Sequence, residues 1–405
     1  MSGAAGAEAA LSRLITDPES RRDPYPIYHE MRRCAPVFLS SFGTWILTRF
    51  EDCYAILRDP RCGKDWNGFM MQSGLTDWRE HVSLAYGDRS LLFANPPQHT
   101  RLRRLVAKAF TPRMVERLRP RMDAVIDALL SPIEQAGGGD ILDALAFPLP
   151  VTVIGELLGV PEQDRGEFRE RVRVNTRTLE IGVTPEQIAE ADAATMWMGD
   201  YFRALLADKR ARRSDDMLTA MLEVEEAGER LSDDEIVSMG LLLFAAGFET
   251  TTNLIGNGVY NLLVHRDQLE LLRADRSLLP NAVEELLRFD GSIQFSERTA
   301  MIDIELAGHA IAAGTNLMTL LGAGNRDPER YPDPDRLDVG RQGVEPLTFG
   351  SGIHYCLGAS LARSEAQMAI GKLLDRFATV ELDETPRFRD QLGFRGLESL
   401  RVSTM

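Results

Sequence analysis

Apolar residues recur every three or four positions over the middle of the chain, from about residue 113 to residue 275, as in Met122, Val125, Ile126 and Leu129. This spacing places the apolar side chains on one face of a helix, so the region is predicted to be helical. Short runs typical of strands are few and lie towards the two ends. They are residues 37–39, 44–47, 302–306 and 392–403. The pattern therefore predicts a mainly α fold with small β-sheets.

The clearest predicted helix begins at Ser232, where Ser232 and Glu235 form a capping box ahead of the apolar run 236–248. It continues to about His265, a length of roughly 48 Å at 1.5 Å per residue. Midway, the segment 246–252 brings a glycine, an acid and a row of threonines into this helix, and the glycine alone costs about 1 kcal/mol. Such a segment is either a tolerated defect, with threonines bonding to the preceding turn, or a functional site.

The length of 405 residues suggests two or three domains, but the chain has no internal repeat and no long Pro, Gly or Ser-rich linker. We therefore predict a single domain over residues 1–405. The glycines at 137–139 are predicted to form a turn. The composition, with 44% hydrophobic and 26% charged residues, is that of an ordinary globular protein. The net charge of −15 disfavours a nucleic-acid-binding protein, which is usually basic.

The four cysteines, at positions 34, 53, 62 and 356, contain no CxxC pair and no zinc-ligand spacing. They predict neither a disulfide framework nor a structural zinc site, and they fit a reducing, cytoplasmic compartment. Charged residues interrupt the first thirty positions, and no run of eighteen uncharged apolar residues occurs. We therefore expect no signal peptide and no membrane anchor.

One cysteine lies in a distinctive segment, FGSGIHYCLG at residues 349–358, in which a glycine-rich turn leads into a predicted helix. A cysteine at the start of a helix meets free N–H groups and the positive end of the helix dipole, which favour the thiolate. Cys356 is therefore suited to bind a metal. The alternative is an inert buried cysteine.

This segment matches the pattern FGxGxHxCxG and resembles the heme-binding loop of the cytochrome P450 family of heme-thiolate mono-oxygenases. Further elements occur in the family's order along nearly the whole chain, among them the ExxR sequence at Glu285 and Arg288. The resemblance implies that Cys356 is the thiolate ligand of a heme b iron. It also implies that Phe349, Gly350, Gly358 and Ala246 contact the heme.

The resemblance assigns further residues to the cofactor. Arg and His side chains are suitable partners for the two heme propionates, and the implied ligands are His99, Arg103, Arg298 and His354. It also implies a buried structural cluster, in which Glu285 binds Arg288 and Arg336. On the residues alone, Glu285 and Arg288 are one helical turn apart and would form a surface pair. A carboxylate buried between two guanidinium groups is instead costly to break, so we predict a structural role for the three.

On the opposite side of the heme, the resemblance places the middle of the long helix. Gly247 is then expected to leave room for dioxygen, while Glu249 and Thr250 pass protons to it, which is general acid work. The implied activity is insertion of one oxygen atom into a mid-sized hydrophobic substrate of the macrolide, terpenoid, steroid or fatty acyl class. The alternatives are an oxidative coupling or rearranging enzyme of the same kind and a heme-binding sensor without turnover.

Electrons must come from another protein, because the chain has no Rossmann GxGxxG after a strand and no ferredoxin-like cysteine cluster. NAD(P)H would therefore act only through a ferredoxin or flavodoxin with its reductase. Residues 99–121 carry eight Arg or Lys and one Glu, whereas residues 214–236 carry nine Asp or Glu and one Arg. We predict that an acidic partner docks near Arg101, Arg104 and Lys108. A solvated basic helix is the alternative.

The resemblance places the substrate pocket among residues 61–95, the helices near 165–205, the stretch after Arg288 and the carboxyl-terminal hairpin. Each candidate for the lining is equally suited to the core. The candidates are Phe69, Met70, Met71, Leu92, Ile293, Phe295 and Phe394, together with Ala246. Arginines between 165 and 177 fit either an anionic substrate or a solvated helix face.

Overall fold

Helices make up most of the computed structural model, which describes residues 3–180, 182–226 and 228–405. The first helices in the chain are α1 Ala4–Thr16, α2 Pro18–Arg22, α3 Tyr25–Cys34, α4 Phe50–Arg58, α5 Trp66–Gln72, α6 Val82–Arg89, α7 Gln98–Ala109, α8 Pro112–Ala136 and α9 Pro148–Leu158. The later ones are α10 Phe168–Thr176, α11 Pro185–Ala211, α12 Met217–Glu223, α13 Asp233–Val264, α14 Arg266–Ala274, α15 Leu279–Phe289, α16 Leu321–Asn325 and α17 Ala359–Arg376. The predicted mainly α class is confirmed.

The strands in the described residues are short and belong to four small sheets. They are β1 Val37–Leu39, β2 Trp45–Leu47, β3 Cys62–Gly63, β4 Gly138–Asp140, β5 Glu225–Glu226, β6 Glu229–Arg230, β7 Ser296–Ala300, β8 Ile304–Leu306, β9 His309–Ile311, β10 Asn316–Thr319, β11 Val380–Leu382 and β12 Arg401–Thr404. Strands are present at three of the predicted runs, as β1, β2 and β8, but of the run 392–403 only residues 401–403 belong to a strand, β12. Strands β7 and β10 are among those that were not predicted, although β10 is buried at every position.

The described residues fold into two compact units. The first unit contains residues 3–63, 126–146 and 250–405, and the second contains residues 64–125 and 147–249 apart from 181 and 227. Helices α8 and α13 contribute residues to both. No helix in the described part of the chain is long and apolar enough to cross a membrane.

The first unit carries a five-stranded sheet in the order β1-β2-β10-β7-β3. Strand β10 runs parallel to β2 and antiparallel to β7, with Leu317 opposite Trp45 and Arg298. Its apolar side chains pack with those of helix α4, whose Phe50 and Ile56 are buried. This sheet fixes the position of Arg298, one of the predicted cofactor ligands.

The glycine run 137–139 was predicted to be a turn, but its residues 138–139 belong to an edge strand of the three-stranded sheet β11-β12-β4. Strand β4 Gly138–Asp140 pairs antiparallel with β12, with Gly139 opposite Val402. Gly138 has φ of +149°, and a Cβ there would lie 2.3 Å from the carbonyl oxygen of Val402. Only glycine permits strands to approach this closely, so the residue type is set by the sheet.

The second unit is built mainly from helices, with the strand pair β5 and β6. Trp66, Met70, Trp78, Leu84 and Ile188 form one of its buried clusters. Phe168 of α10 forms a second apolar contact by stacking on Phe244 of α13, with ring centroids 4.3 Å apart. Helix α10 is thereby held against α13 within this unit.

Helix α13 begins as the capping box predicts. The backbone N–H of Ser232 donates to Oε2 of Glu235 at 2.8 Å, and the N–H of Glu235 donates to the Ser232 hydroxyl at 3.3 Å. The helix has 32 residues and is continuous through 246–252. The glycine and threonines of this segment therefore do not break it.

Candidate heme site

The segment 349–358, here called the cysteine loop, lies in the first unit and ends at the start of α17. The backbone N–H of Cys356 donates to the carbonyl oxygen of Phe349 at 2.9 Å, which closes the loop. Gly350 and Gly352 both have φ of +68°, a conformation that side-chain-bearing residues rarely adopt. Cys356 is half-buried, three residues before the helix begins.

Neighbouring side chains hold the loop in place. The Arg363 guanidinium lies 4.5 Å from the ring centroid of Phe349 and donates to the Tyr355 hydroxyl at 3.0 Å. Its ion pair with Glu284, at 2.9 Å between Nη2 and Oε2, joins α17 to α15. The loop is thus fixed from α15 and α17 together.

Two of the other three cysteines are poorer metal ligands. Burial raises the pKa of the Cys62 thiol to about 11, and burial also raises the pKa of Cys53 well above its ordinary range. A thiol is a weak ligand until it loses its proton. Both residues lie in the apolar core beside the five-stranded sheet. Burial therefore disfavours Cys53 and Cys62 as metal ligands, whereas Cys34 is half-buried like Cys356.

Arg298 provides a test of whether the chain fits a propionate-bearing cofactor. Its side chain in β7 is 3% exposed, and it donates to the Ser296 hydroxyl at 3.1 Å and to the carbonyl oxygen of Glu297 at 2.8 Å. Neither acceptor carries a charge, and burial lowers the pKa of Arg298 to about 10. A buried guanidinium that is hydrogen-bonded only to neutral groups is a costly arrangement. A carboxylate ligand would relieve this cost, so the residue fits the group.

The remaining predicted propionate ligands lie on two elements. His99 and Arg103 are four residues apart on α7, which places them on the same helix face. His99 is 3% exposed and Arg103 is half-buried. His354 is half-buried and lies in the cysteine loop. The binding of His99, Arg103 and His354 to heme stays a prediction.

One face of helix α13 is accessible halfway along the helix. Ala246 is exposed and Gly247 and Thr250 are half-buried, whereas Phe248 and Glu249 are buried. The accessible positions follow the three- and four-residue spacing of a helix face. A Cβ on Gly247 would lie 3.4 Å from the side chain of Ile154, so its missing side chain points towards a packing neighbour. Room for dioxygen at Gly247 stays a prediction.

The buried acid of this segment has a hydrogen-bond partner on another helix. The Thr176 hydroxyl, at the end of α10, lies 2.5 Å from Oε2 of Glu249. Glu249 is 3% exposed and Thr176 is 4% exposed. The sequence analysis did not identify Thr176, because its distance of 73 positions from Glu249 gives no local signal.

The structural cluster contains a different arginine from the one predicted. Glu285 binds Arg288 through two hydrogen bonds of 2.6 and 2.8 Å and binds the Nε atom of Arg341 at 3.2 Å. Arg336 has an exposed side chain, and only its carbonyl oxygen takes part, accepting from Arg288 at 3.2 Å and from Arg341. The assignment of Arg336 was therefore wrong. The N–H of Asp338 also binds Glu285, and this turn brings Arg341 to the carboxylate.

Several predicted pocket residues of the second unit occupy other surroundings. Met70 is 1% exposed inside the cluster with Trp66 and Trp78, so it is a core residue. Phe69 is partly buried against the same cluster. Met71 and Leu92 are 49% and 37% exposed. Met70 therefore does not line a pocket.

The predicted pocket residues of the first unit are Ile293, Phe295 and Phe394, and at least one of them is a core residue. Phe295 packs against the cluster that contains Leu11 and Tyr28 of the amino-terminal helices, so it too belongs to a core. Ile293 and Phe394 form an isolated β-bridge, and Phe394 is 9% exposed. These last two join the stretch after Arg288 to the carboxyl-terminal segment, and Ile293 also packs against the core cluster beside the five-stranded sheet, so their lining of a pocket stays a prediction.

A cleft of about 730 Å³ also occurs in the first unit, but it is not formed by the predicted site residues. Its walls include Tyr25, Asp290 and Arg395. Asp290 and Arg395 form a buried ion pair, and the Tyr25 hydroxyl donates to Asp290 at 2.7 Å. In the wall of this cleft, Asp290 and Arg395 therefore neutralise each other.

Most charges predicted to attract a redox partner are paired within the second unit. Arg101 binds Glu235, and Arg104 binds Glu229 at 2.7 Å. Arg117 similarly binds Asp215 at 2.8 Å. The basic segment 99–121 is thus partly neutralised by the acidic segment 214–236.

Comparison with known proteins defines the class of this fold and site. The family model described as Cytochrome P450 matches residues 189–396. The chain is 43% identical over 401 residues to Cytochrome P450 107B1 of Saccharopolyspora erythraea, covering 96% of this chain and 97% of the relative. It is 38% identical over 392 residues to 6-deoxyerythronolide B hydroxylase of the same organism, covering 94% and 96%.

A solved structure agrees with this assignment. The structure of P450BioI in complex with hexadec-9Z-enoic acid ligated acyl carrier protein matches with a TM-score of 0.91 and 35% identity, over 96% of this chain and 99% of that one. The fold is that of heme-dependent oxidoreductases that incorporate oxygen. The chain belongs to the cytochrome P450 family and is a mono-oxygenase.

Proposed function

We propose that the chain is a heme b mono-oxygenase that inserts one oxygen atom of dioxygen into a mid-sized hydrophobic substrate of the macrolide, terpenoid, steroid or fatty acyl class. The observation that carries the proposal is the half-buried Cys356 in a closed glycine loop at the start of α17. The names of the relatives support the class, since one is a hydroxylase of 6-deoxyerythronolide B and one structure carries a sixteen-carbon acyl group. We also propose that residues 1–405 act as one domain in the cytoplasm.

Heme, once bound through the Cys356 thiolate, would supply dioxygen activation and oxygen insertion. The chain's own residues hold it there. Arg298 is a buried cation with neutral partners, so it would bind a propionate most strongly. His99, Arg103 and His354 would complete the set, while Phe349, Gly350, Gly358 and Ala246 would contact the ring.

Protons are the second contribution of the chain. The Glu249 carboxylate is buried and can hold a proton at Oε2, whereas the Thr250 hydroxyl belongs to the accessible face of α13. Adjacent residues on a helix point about 100° apart. Thr250 would therefore donate the proton on the accessible face, and Glu249 would reprotonate the Thr250 hydroxyl from the buried side.

Thr250→Ala tests this division of work. The variant should consume reduced cofactor and release hydrogen peroxide in place of hydroxylated product, while Thr251→Ala, at a buried position, serves as the control. Tight coupling in Thr250→Ala would contradict the role proposed for Thr250.

The electrons would come from a ferredoxin or flavodoxin with its reductase, so that NAD(P)H acts indirectly. The ion pairs of Arg101 and Arg104 reduce the charge that a partner meets near Arg101, Arg104 and Lys108. The rim of the cysteine loop offers Ile353 and Tyr355, which are 50% and 39% exposed. We expect this apolar rim to contribute more to docking than Arg101 and Arg104 do.

A screen of hydrophobic compounds for a shift in heme spin state would identify the substrate. Turnover of a hit with a surrogate ferredoxin system under labelled dioxygen then distinguishes the candidate functions. One labelled oxygen atom in the product supports insertion. Product without label would favour the oxidative coupling or rearranging alternative, and binding without turnover would favour a sensor.

A further inference from the structure

We infer that Thr176 is a positioning residue for the proton-relaying Glu249, and that its hydroxyl serves both protonation states of that acid. The inference rests on the proposed role of Glu249 and extends it to helix α10. The Thr176 Oγ1 atom lies 2.5 Å from Oε2 of Glu249 and 3.1 Å from the carbonyl oxygen of Arg173. Both residues and both helices belong to the second unit where they meet.

The chemistry of the three oxygen atoms explains the dual role. A threonine hydroxyl has one proton to donate and lone pairs to accept with, whereas a carbonyl oxygen can only accept. When Glu249 is ionised, Thr176 donates its proton to Oε2. When Glu249 is protonated, the acid donates to Oγ1, and Thr176 turns its own proton to the carbonyl oxygen of Arg173. The hydroxyl therefore provides a partner for Oε2 in each state without moving a heavy atom.

A relay acid gains from such a partner. A buried carboxyl group that lost its hydrogen bond in one state would carry the desolvation penalty of that state. The penalty would oppose each proton transfer, because every transfer interconverts the two states. Thr176 reduces the difference in free energy between the two protonation states of Glu249 and keeps the carboxyl group in one orientation.

The position of Thr176 is itself well fixed. Helix α10 is held to α13 near its beginning by the stacked rings of Phe168 and Phe244, 4.3 Å apart. At its end, the Asn175 side chain donates to the Thr195 hydroxyl of α11 at 2.7 Å. The hydroxyl of Thr176 is thus presented to Glu249 by a helix that is anchored along its length.

Thr195 supplies a matched control. Thr176→Val and Thr195→Val each remove one buried hydroxyl at the same end of α10, but only Thr176 contacts Glu249. Thr176→Ser restores the hydroxyl. Each variant is first checked for a wild-type reduced, carbon monoxide-bound spectrum, and Thr176→Ser keeps the test valid if Thr176→Val does not fold.

The experiment uses the holoenzyme with a surrogate ferredoxin and its reductase, and dioxygen itself is the probe. Reduction by two electrons and two protons gives hydrogen peroxide, whereas four electrons and four protons give two molecules of water. We measure peroxide formed per dioxygen consumed, in H₂O and in D₂O. Impaired proton delivery should raise the peroxide yield and change the solvent isotope effect.

Thr176→Val should lower the yield of water roughly tenfold, the size expected for one hydrogen bond to a charged group. Thr176→Ser and Thr195→Val should match the wild type. Glu249→Gln should show the same loss, and adding Thr176→Val to it should change nothing further. A normal water yield in Thr176→Val, or equal losses in Thr176→Val and Thr195→Val, would overturn the inference. A normal yield in Glu249→Gln would instead overturn the proposed role of Glu249.

Discussion

The Nε atom of Arg341 lies 3.2 Å from Oε1 of Glu285, a carboxylate with no exposed surface. Together with Arg288 this makes two guanidinium groups on one buried acid. The exposed Arg336 supplies only a backbone oxygen to the same cluster. The two arginines therefore differ sharply in what their side chains contribute.

We predict that Arg341→Ala lowers the free energy of unfolding of the holoenzyme by about 3 kcal/mol, because it leaves part of a buried charge unpaired. Arg336→Ala should change it by less than about 0.5 kcal/mol, as for an ordinary surface position. Urea unfolding of both variants makes the comparison. Equal losses would contradict the assignment of Arg341.

Glu365 gives a prediction about pH. It lies in α17, is fully buried, and burial raises its pKa to about 8. In the unfolded chain it would ionise near its ordinary value of 4.5. Between these pH values the folded state holds more protons than the unfolded state, so this residue makes stability fall as pH rises from about 4.5 to about 8.

Glu365→Gln removes that dependence. The variant should gain a few kcal/mol over the wild type at pH 8 and little or nothing at pH 4.5. Urea unfolding across this range measures the difference. A constant difference between the two proteins at all pH values would exclude the ionisation as its cause.

Arg298 should separate cofactor binding from the stability of the chain. Arg298→Met removes a buried charge whose hydrogen bonds go to neutral groups, so the heme-free protein should lose no stability. The same change should speed heme loss to a scavenging protein about tenfold, through loss of a charge-assisted hydrogen bond. Arg298→Lys, which keeps the charge, should fall between. Unchanged heme loss in Arg298→Met would remove it from the propionate ligands.

The Michaelis constant for the redox partner should distinguish the two candidate docking regions, the rim of the cysteine loop and the basic segment near Arg104. Ile353→Ser removes an exposed apolar side chain from the rim of the cysteine loop, whereas Arg104→Glu reverses a charge that is already paired with Glu229. We expect Ile353→Ser to raise the Michaelis constant for the surrogate ferredoxin more than Arg104→Glu does at physiological salt. The opposite order would favour docking near Arg104.

The sequence predicted the elements whose signals are local. The capping box of Ser232 and Glu235, the long helix α13 and the cysteine loop each depend on residues within a few positions of one another. Strand β10 escaped prediction because a strand buried on both faces lacks the alternation of polar and apolar residues.

Contacts between distant segments were the least predictable. Arg336 lies before the turn at Asp338 and Arg341 lies after it, and only the path of the backbone decides which one reaches Glu285. Thr176 carried no signal for its contact with Glu249. The burial of Glu365, by contrast, had a local signal, because Glu365 follows Leu361 by four residues on an otherwise apolar helix face.

The reduced, carbon monoxide-bound absorption spectrum tests the central claim most directly, because it reports the ligand of the heme iron. The wild type and Cys62→Ala should both show the red-shifted Soret band of thiolate-ligated heme, while Cys356→Ala should lose it. Cys62 is the matched control because its thiol is buried in the core. A thiolate band that persists in Cys356→Ala, or that is absent from the wild type, would contradict the account.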